Sequence, residues 1–253
     1  MVYLLIVSYV GTAYAGWQRQ DNALTVQQVV EEALAALLGR PVRVAAASRT
    51  DAGVHARGQA VQLSLPEPFP ERGLVHGTNH HLPYDVRILA ACRMRPGFDA
   101  RRHATGKRYV YRMAQVPVLS PLDAPYMIRV PLELDLEAMR RAAALLPGRH
   151  DFSAFAVAGG AHASPVRRLT AAALEGVAPY LAFRVEGEGF LRGMVRGLAG
   201  TLLEVGRGRR SVESFARLLE GGDRAAAGPT APAHGLELAE VYYPLALFLT
   251  QST

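Results

Sequence analysis

Lysine is almost missing from this chain of 253 residues: of its 28 Lys and Arg residues one is Lys107, which leaves 27 arginines. Arginine offers planar, bidentate phosphate contacts and stacking on bases where lysine offers a point charge, although a GC-rich genome accounts for the preference equally well. Cysteine is scarcer still. The single Cys92 excludes an intramolecular disulfide and has no cysteine partner for a zinc site, so a reducing, cytoplasmic setting is expected. Long apolar runs are also lacking: none approaches the roughly 20 residues that span a bilayer, and no membrane partner is expected. The opening Val2–Val10 is apolar but short, with neither a basic leader nor a small-residue cleavage site, which makes it a strand and not a signal peptide. Acidic residues number 22, fewer than the basic ones, for a net charge of +6 that favours polyanionic partners. Half of the residues are hydrophobic and a fifth charged, which excludes a disordered chain and allows one large domain or two of ordinary size.

Strand patterns are plentiful. They cover Tyr3–Val10, Val42–Ala47, Gln59–Leu65, Val86–Met94, Arg108–Val116, Leu169–Leu174, Tyr180–Val185 and Leu238–Tyr243. Helical spacing predicts a helix over Thr25–Leu38, whose Val26, Val29, Val30, Ala33, Leu34, Leu37 and Leu38 share a face. Thr25 with Gln28 reads as a capping box, and Gly39 with Pro41 as the stop. Further helices are expected at Leu136–Leu146 behind Asp135, at Phe190–Val205 and at Val212–Glu220 behind Ser211. This order, without strict alternation, predicts an α+β fold: two similar-sized lobes on a largely antiparallel sheet with flanking helices and a cleft between them. The stretch Arg95-Pro96-Gly97 to Gly106 breaks both periodicities and puts the boundary near residue 105, with lobes at 1–105 and 106–253. Pro117–Pro131, with its four prolines, reads as a covering loop.

Polarity is concentrated in one short loop, Arg49-Thr50-Asp51-Ala52-Gly53-Val54-His55-Ala56. An Asx-type turn with Arg49 in a surface pair explains it; so does an Arg49 that keeps the Asp51 carboxylate ionised and oriented for attack on an electrophilic carbon. The loop alone leaves both open. Elsewhere the signals are weaker. His76, His80 and His81 near Asp85 fit no familiar ligand spacing, so no metal is expected. Ser8, Ser48 and Ser64 lack a nucleophile-elbow context, and Gly187-Glu188-Gly189 lacks the third glycine of a dinucleotide fingerprint. Trp17 and Gln18 fit a recognition surface or plain packing equally.

Read along its whole length, the chain resembles the tRNA pseudouridine synthase A family. The loop matches the family signature Gly-Arg-Thr-Asp-Ala-Gly-Val-His-Ala at every position but the first, here Ser48. Other matches follow in order: Gly11-Thr12, Gly16-Trp17-Gln18-Arg19-Gln20, Thr25-Val26-Gln27, Asn79 with Leu82-Pro83, Phe98 with Ala100-Arg101, and Lys107-Arg108-Tyr109-Val110-Tyr111. They continue through His150-Asp151-Phe152-Ser153, Gly189-Phe190-Leu191, Met194-Val195-Arg196, Gly200-Thr201-Leu202 and Pro229-Thr230-Ala231-Pro232.

The resemblance implies an isomerase that converts uridine to pseudouridine at positions thirty-eight to forty of the tRNA anticodon arm, as a homodimer and without a cofactor. By the same carry-over Asp51 is the nucleophile, and Arg49 pairs with it or helps flip the base. Tyr109 is the aromatic that stacks on uracil, and Arg196 the guanidinium that reaches the carboxylate. Arg57, Arg101 and Arg102 are candidates for phosphate contact. Two departures stand out, Ser48 for glycine and Asp99 for a common histidine; the first bears on how closely the backbone approaches, the second adds negative charge near a phosphate path. From other classes, a non-catalytic RNA-binding module and a hydrolase using Asp51 compete with this reading.

Overall fold

The computed structural model describes residues 1–130, 133–157 and 164–249; Pro131, the end of the expected covering loop, lies outside them. Among the described residues ten strands and five α-helices form two compact units. Unit 1 is Met1–Gly106 together with the described residues from Leu238 onward, and unit 2 is Lys107–Glu237. Pairing in both is mostly antiparallel, and the fold is α+β.

Unit 1 holds β1 (Val2–Tyr9), α1 (Val26–Leu38), β2 (Val44–Ala46), β3 (His55–Ser64), α2 (Glu71–His81) and β4 (Val86–Met94). Its strand order is β4-β1-β3-β10, where β10 is Leu236–Tyr242, and β2 also pairs with β3. Alternation along β1 puts Tyr3, Leu5, Val7 and Tyr9 on one buried face. Tyr3 Oη both donates to the Phe69 carbonyl at 2.9 Å and accepts from its N–H at 2.7 Å, tying that face to the segment before α2. Helix α1 starts where Thr25 Oγ1 accepts the Gln28 N–H and stops at Gly39, whose φ of 67° suits a residue without Cβ. The capping box is half made: the Gln28 amide donates to Glu32 at 2.9 Å.

Helix α2 has no counterpart in the sequence patterns, because only Leu74 and Thr78 of its eleven residues are buried. Glycine brings it close instead: a Cβ on Gly77 would lie 2.5 Å from Leu37 Cδ1 of α1. His76, His80 and His81 sit on this helix. Among the described residues no group of three or more His, Cys, Asp or Glu side chains is placed to hold a metal ion.

Unit 2 runs through β5 (Gly106–Ala114), β6 (Ile128–Arg129), α3 (Leu136–Ala144), β7 (Gly148–Asp151), β8 (Val166–Val177), β9 (Tyr180–Gly187), α4 (Met194–Gly206) and α5 (Val212–Arg217). Its strand order is β5-β9-β8-β7, with β6 parallel to β5. The core gathers Tyr111, Phe183 and Val185 with Leu198 and Leu202 of α4, all of them buried. Removing each such side chain from water contributes about 1.5–3 kcal/mol. Helix α4 begins four residues later than its apolar spacing predicts, because Gly193 adopts φ 68° and ends a turn there. Strands β6 and β7 are too short to show a period of two.

His150-Asp151-Phe152-Ser153 forms a corner in this unit. Asp151 Oδ1 accepts the Ser153 N–H at 2.8 Å, the Ser153 hydroxyl accepts from Gly222 N–H at 3.1 Å, and Phe152 is fully buried. No helix among the described residues is long and apolar enough to cross a membrane.

Candidate active site

The Asp51 loop connects β2 to β3, and it is held from both ends. Ala47 N–H donates to Ala60 at 2.9 Å, one residue beyond the end of β2 at Ala46. The fully buried Gln59 side chain then holds Ser48: its Oε1 accepts the Ser48 N–H at 3.3 Å and its Nε2 donates to the Ser48 carbonyl at 2.8 Å. Two residues on, Thr50 Oγ1 meets Tyr9 Oη at 2.7 Å and the Thr50 carbonyl accepts from Trp17 N–H at 3.1 Å.

Asp51 then opens a turn that Val54 N–H closes on its carbonyl at 3.1 Å; Gly53 supplies φ 77° at the third position, and its N–H donates to the Tyr14 carbonyl. Past the turn, His55 Nδ1 accepts from Gly11 N–H at 3.0 Å. A Cβ on Gly11 would lie 2.0 Å from the Val54 carbonyl, and one on Gly16 2.6 Å from that of Thr50. The glycines of the first loop therefore exist for its approach to this one.

The loop thus contains a turn, as its residue types predicted, inside a frame that an ordinary surface turn has no need of. Asp51 is half-buried. Arg49 is exposed and, among the described residues, holds no ion pair, so the structure does not bring it onto the Asp51 carboxylate. Ser48 is accommodated because no non-glycine residue here needs positive φ. Trp17 is packing: it is buried, with its ring 6.0 Å from that of Tyr9, while Gln18 donates to Gln27 at 3.0 Å. Arg57 and Arg101 are exposed on the same unit.

Asp99 has its own task. Its Oδ1 accepts from the N–H groups of Arg101 at 2.9 Å and Arg102 at 2.8 Å, and the Arg102 N–H above all holds the carboxyl below the usual carboxylate range. The added charge is thereby committed to shaping the turn that carries Arg101 and Arg102.

In unit 2, Tyr109 lies on β5 opposite Val185 and is buried, its ring edge-on to Phe190 with centroids 5.0 Å apart. Tyr111, two residues on, is fully buried, and its hydroxyl donates to the Pro232 carbonyl at 2.9 Å. Burial pushes that hydroxyl's pKa up. The alternating tyrosines are indistinguishable by spacing and both are buried; their contacts differ, Tyr111 anchoring residue 232 through its hydroxyl and Tyr109 meeting Phe190. Phe190 is the residue that sequence reasoning missed, although it stands in the matched Gly189-Phe190-Leu191.

Arg196 is half-buried on α4. Its Nε donates to the Ala231 carbonyl at 2.7 Å while its own carbonyl accepts the Ala231 N–H at 3.1 Å. Residues 228–232 lie flat along the helix because Gly200 has no side chain; a Cβ there would be 1.7 Å from the Pro229 carbonyl. Thr201 Oγ1 accepts from Gly228 N–H at 3.1 Å and completes the seam. The matched Gly200-Thr201 and Pro229–Pro232 segments thus form one structure that fixes Arg196. Elsewhere in this unit the 117–129 loop borders an open groove of about 540 Å³ lined by Val118, Leu119, Met127, Arg129 and His234.

The chain is similar to known proteins over most of its length. A family model described as tRNA pseudouridine synthase matches residues 5–96 and 142–244. The chain is 47% identical to tRNA pseudouridine synthase A of Syntrophotalea carbinolica over 242 residues, covering 96% of each protein. It is 48% identical to the Myxococcus xanthus enzyme of the same name, covering 94% of this chain and 91% of that one. With the Pelobacter propionicus enzyme of that name it shares 46% identity, covering 94% of this chain and 98% of the other. Matches of this length and identity show that the chain belongs to the tRNA pseudouridine synthase A family.

Proposed function

We propose that this protein isomerises uridine to pseudouridine in tRNA, at positions thirty-eight to forty of the anticodon arm, with Asp51 as the nucleophile. The observation that carries the assignment is the half-buried Asp51 turn, clamped by buried side chains before it and by the glycine loop beside it. The reaction breaks C1′–N1 and makes C1′–C5; the hydrogen on C5 leaves and N1 gains one, so atoms balance without an oxidant or a second substrate. A carboxylate serves this by holding C1′, by holding C6 or by assisting glycal formation.

Tyr109 is the aromatic face for uracil, and Phe190 sets its ring angle. Arg196 is the guanidinium that serves the Asp51 carboxylate, presented by its bond to Ala231. Arg49, exposed beside the turn, acts on the RNA as the base is flipped. Arg57 and Arg101 bind phosphates. We further propose a cytoplasmic homodimer.

Anticodon-arm RNA carrying C5-tritiated uridine tests the reading. The protein should release tritium to water and an Asp51→Ala variant should not; equal release from both would sink it. Binding without release identifies an RNA-binding module instead, and a product of changed mass a hydrolase.

A further inference from the structure

We propose that Tyr9 and Gln59 are positioning residues for the reaction, acting through Thr50 and Ser48 to hold Asp51 in its reactive place. The inference rests on Asp51 being the nucleophile. It starts from two polar side chains that lie deep in unit 1, Tyr9 at 3% exposure and Gln59 at 0%. Burying an amide and a phenol costs free energy unless each finds partners. Aliphatic residues would fill the same positions of β1 and β3 without that cost.

What the two side chains do with their burial is specific. Both bond to residues just before the aspartate, Gln59 to Ser48 and Tyr9 to Thr50. Gln59 holds the N–H and the carbonyl of Ser48, at 3.3 and 2.8 Å, and Tyr9 holds the Thr50 hydroxyl at 2.7 Å. Gln59 Nε2 also lies 3.5 Å from Tyr9 Oη, a weak link that joins the two arms. Thr50 is itself buried and has its carbonyl taken by Trp17. The peptide entering Asp51 is therefore anchored on both its side-chain and its backbone sides.

A nucleophile gains rate from being fixed near its attack geometry, and an ångström of play costs orders of magnitude. The brace supplies that fixity. Neither Tyr9 nor Gln59 is called on to touch the uridine, so their loss should appear in kcat and not in KM.

The test is steady-state tritium release by the full chain. Tyr9→Phe keeps the ring that packs beside Trp17 and removes one hydroxyl. We expect kcat to fall about tenfold with KM and tRNA affinity within about twofold, per folded molecule as judged by the melting transition. Thr50→Val removes the other end of the same bond and should fall equally, and the double variant should be no slower than either single one. If Tyr9→Phe proves too unstable to assay, Thr50→Val alone carries the comparison.

Unchanged kcat in both single variants, or independent losses that multiply in the double variant, would overturn the brace. A drop confined to melting temperature, with kcat per folded molecule unaltered, would overturn it as well by making the contact merely structural. Asp51→Ala run alongside separates the two claims. If Asp51→Ala is dead while Tyr9→Phe is normal, the brace fails alone; if Asp51→Ala turns over, the nucleophile assignment fails and takes the brace with it.

Discussion

At the scale of single residues, arginine chemistry distinguishes the candidates. Arg49 is exposed, and in the proposed function it acts on the RNA. Arg49→Lys keeps the charge and loses the planar fork. We expect turnover to fall about a hundredfold, the order lost with one positioned donor, while tRNA binding weakens only modestly. Equal losses in single-turnover rate and in affinity would reassign Arg49 to substrate positioning. Arg196 differs because its Nε is already spent on the Ala231 carbonyl. Arg196→Met strands that acceptor and should cost about 1–3 kcal/mol in unfolding free energy in addition to activity, measured by denaturant titration with the m-value checked for change.

Between elements, glycine decides more than apolar pattern does. Gly200→Ala gains roughly 1 kcal/mol of helix propensity, but it drives a Cβ to 1.7 Å from the Pro229 backbone carbonyl. The clash wins: we expect a net loss of about 2 kcal/mol, within the range for overpacking, and a melting temperature lower by roughly 4–8 °C. Gly39→Ala meets nothing within 4 Å and should lose only the 1–2 kcal/mol of a left-handed alanine. Helix α1 was legible because one face is apolar throughout. Helix α2 was not, because it docks through Gly77 and buries two side chains; a glycine contact leaves no mark in a hydrophobic pattern. The late start of α4 has the same origin in Gly193.

For the whole molecule, the net charge of +6 predicts steep salt dependence. Plotted as log K against log salt, tRNA binding should fall linearly, and Arg57→Gln or Arg101→Gln should each make the slope shallower by about 0.7–0.9 if each contacts one phosphate. A slope unaltered by either variant would remove that arginine from the binding surface. The division of the chain also belongs to this scale. The described residues from Leu238 onward group with Met1–Gly106, a return that no local signal near residue 105 announces, since strand pairing over such a separation depends on the folded partner and not on the residues between.

The α+β class, the helices carrying α1 and α3, and the identity of the Asp51 loop were set by the sequence, because periodicity, caps and a long motif are local properties. The loop's residue types alone, however, fitted an ordinary turn as well as a nucleophile. Tertiary structure decided the rest: that Tyr111 anchors residue 232 while Tyr109 meets Phe190, that Asp99 caps its own turn, that Arg49 stands clear of ion pairs among the described residues, and that buried Tyr9 and Gln59 hold the entry to Asp51. Each of these depends on a partner distant in the chain or on burial, and neither is written in the spacing of neighbouring residues.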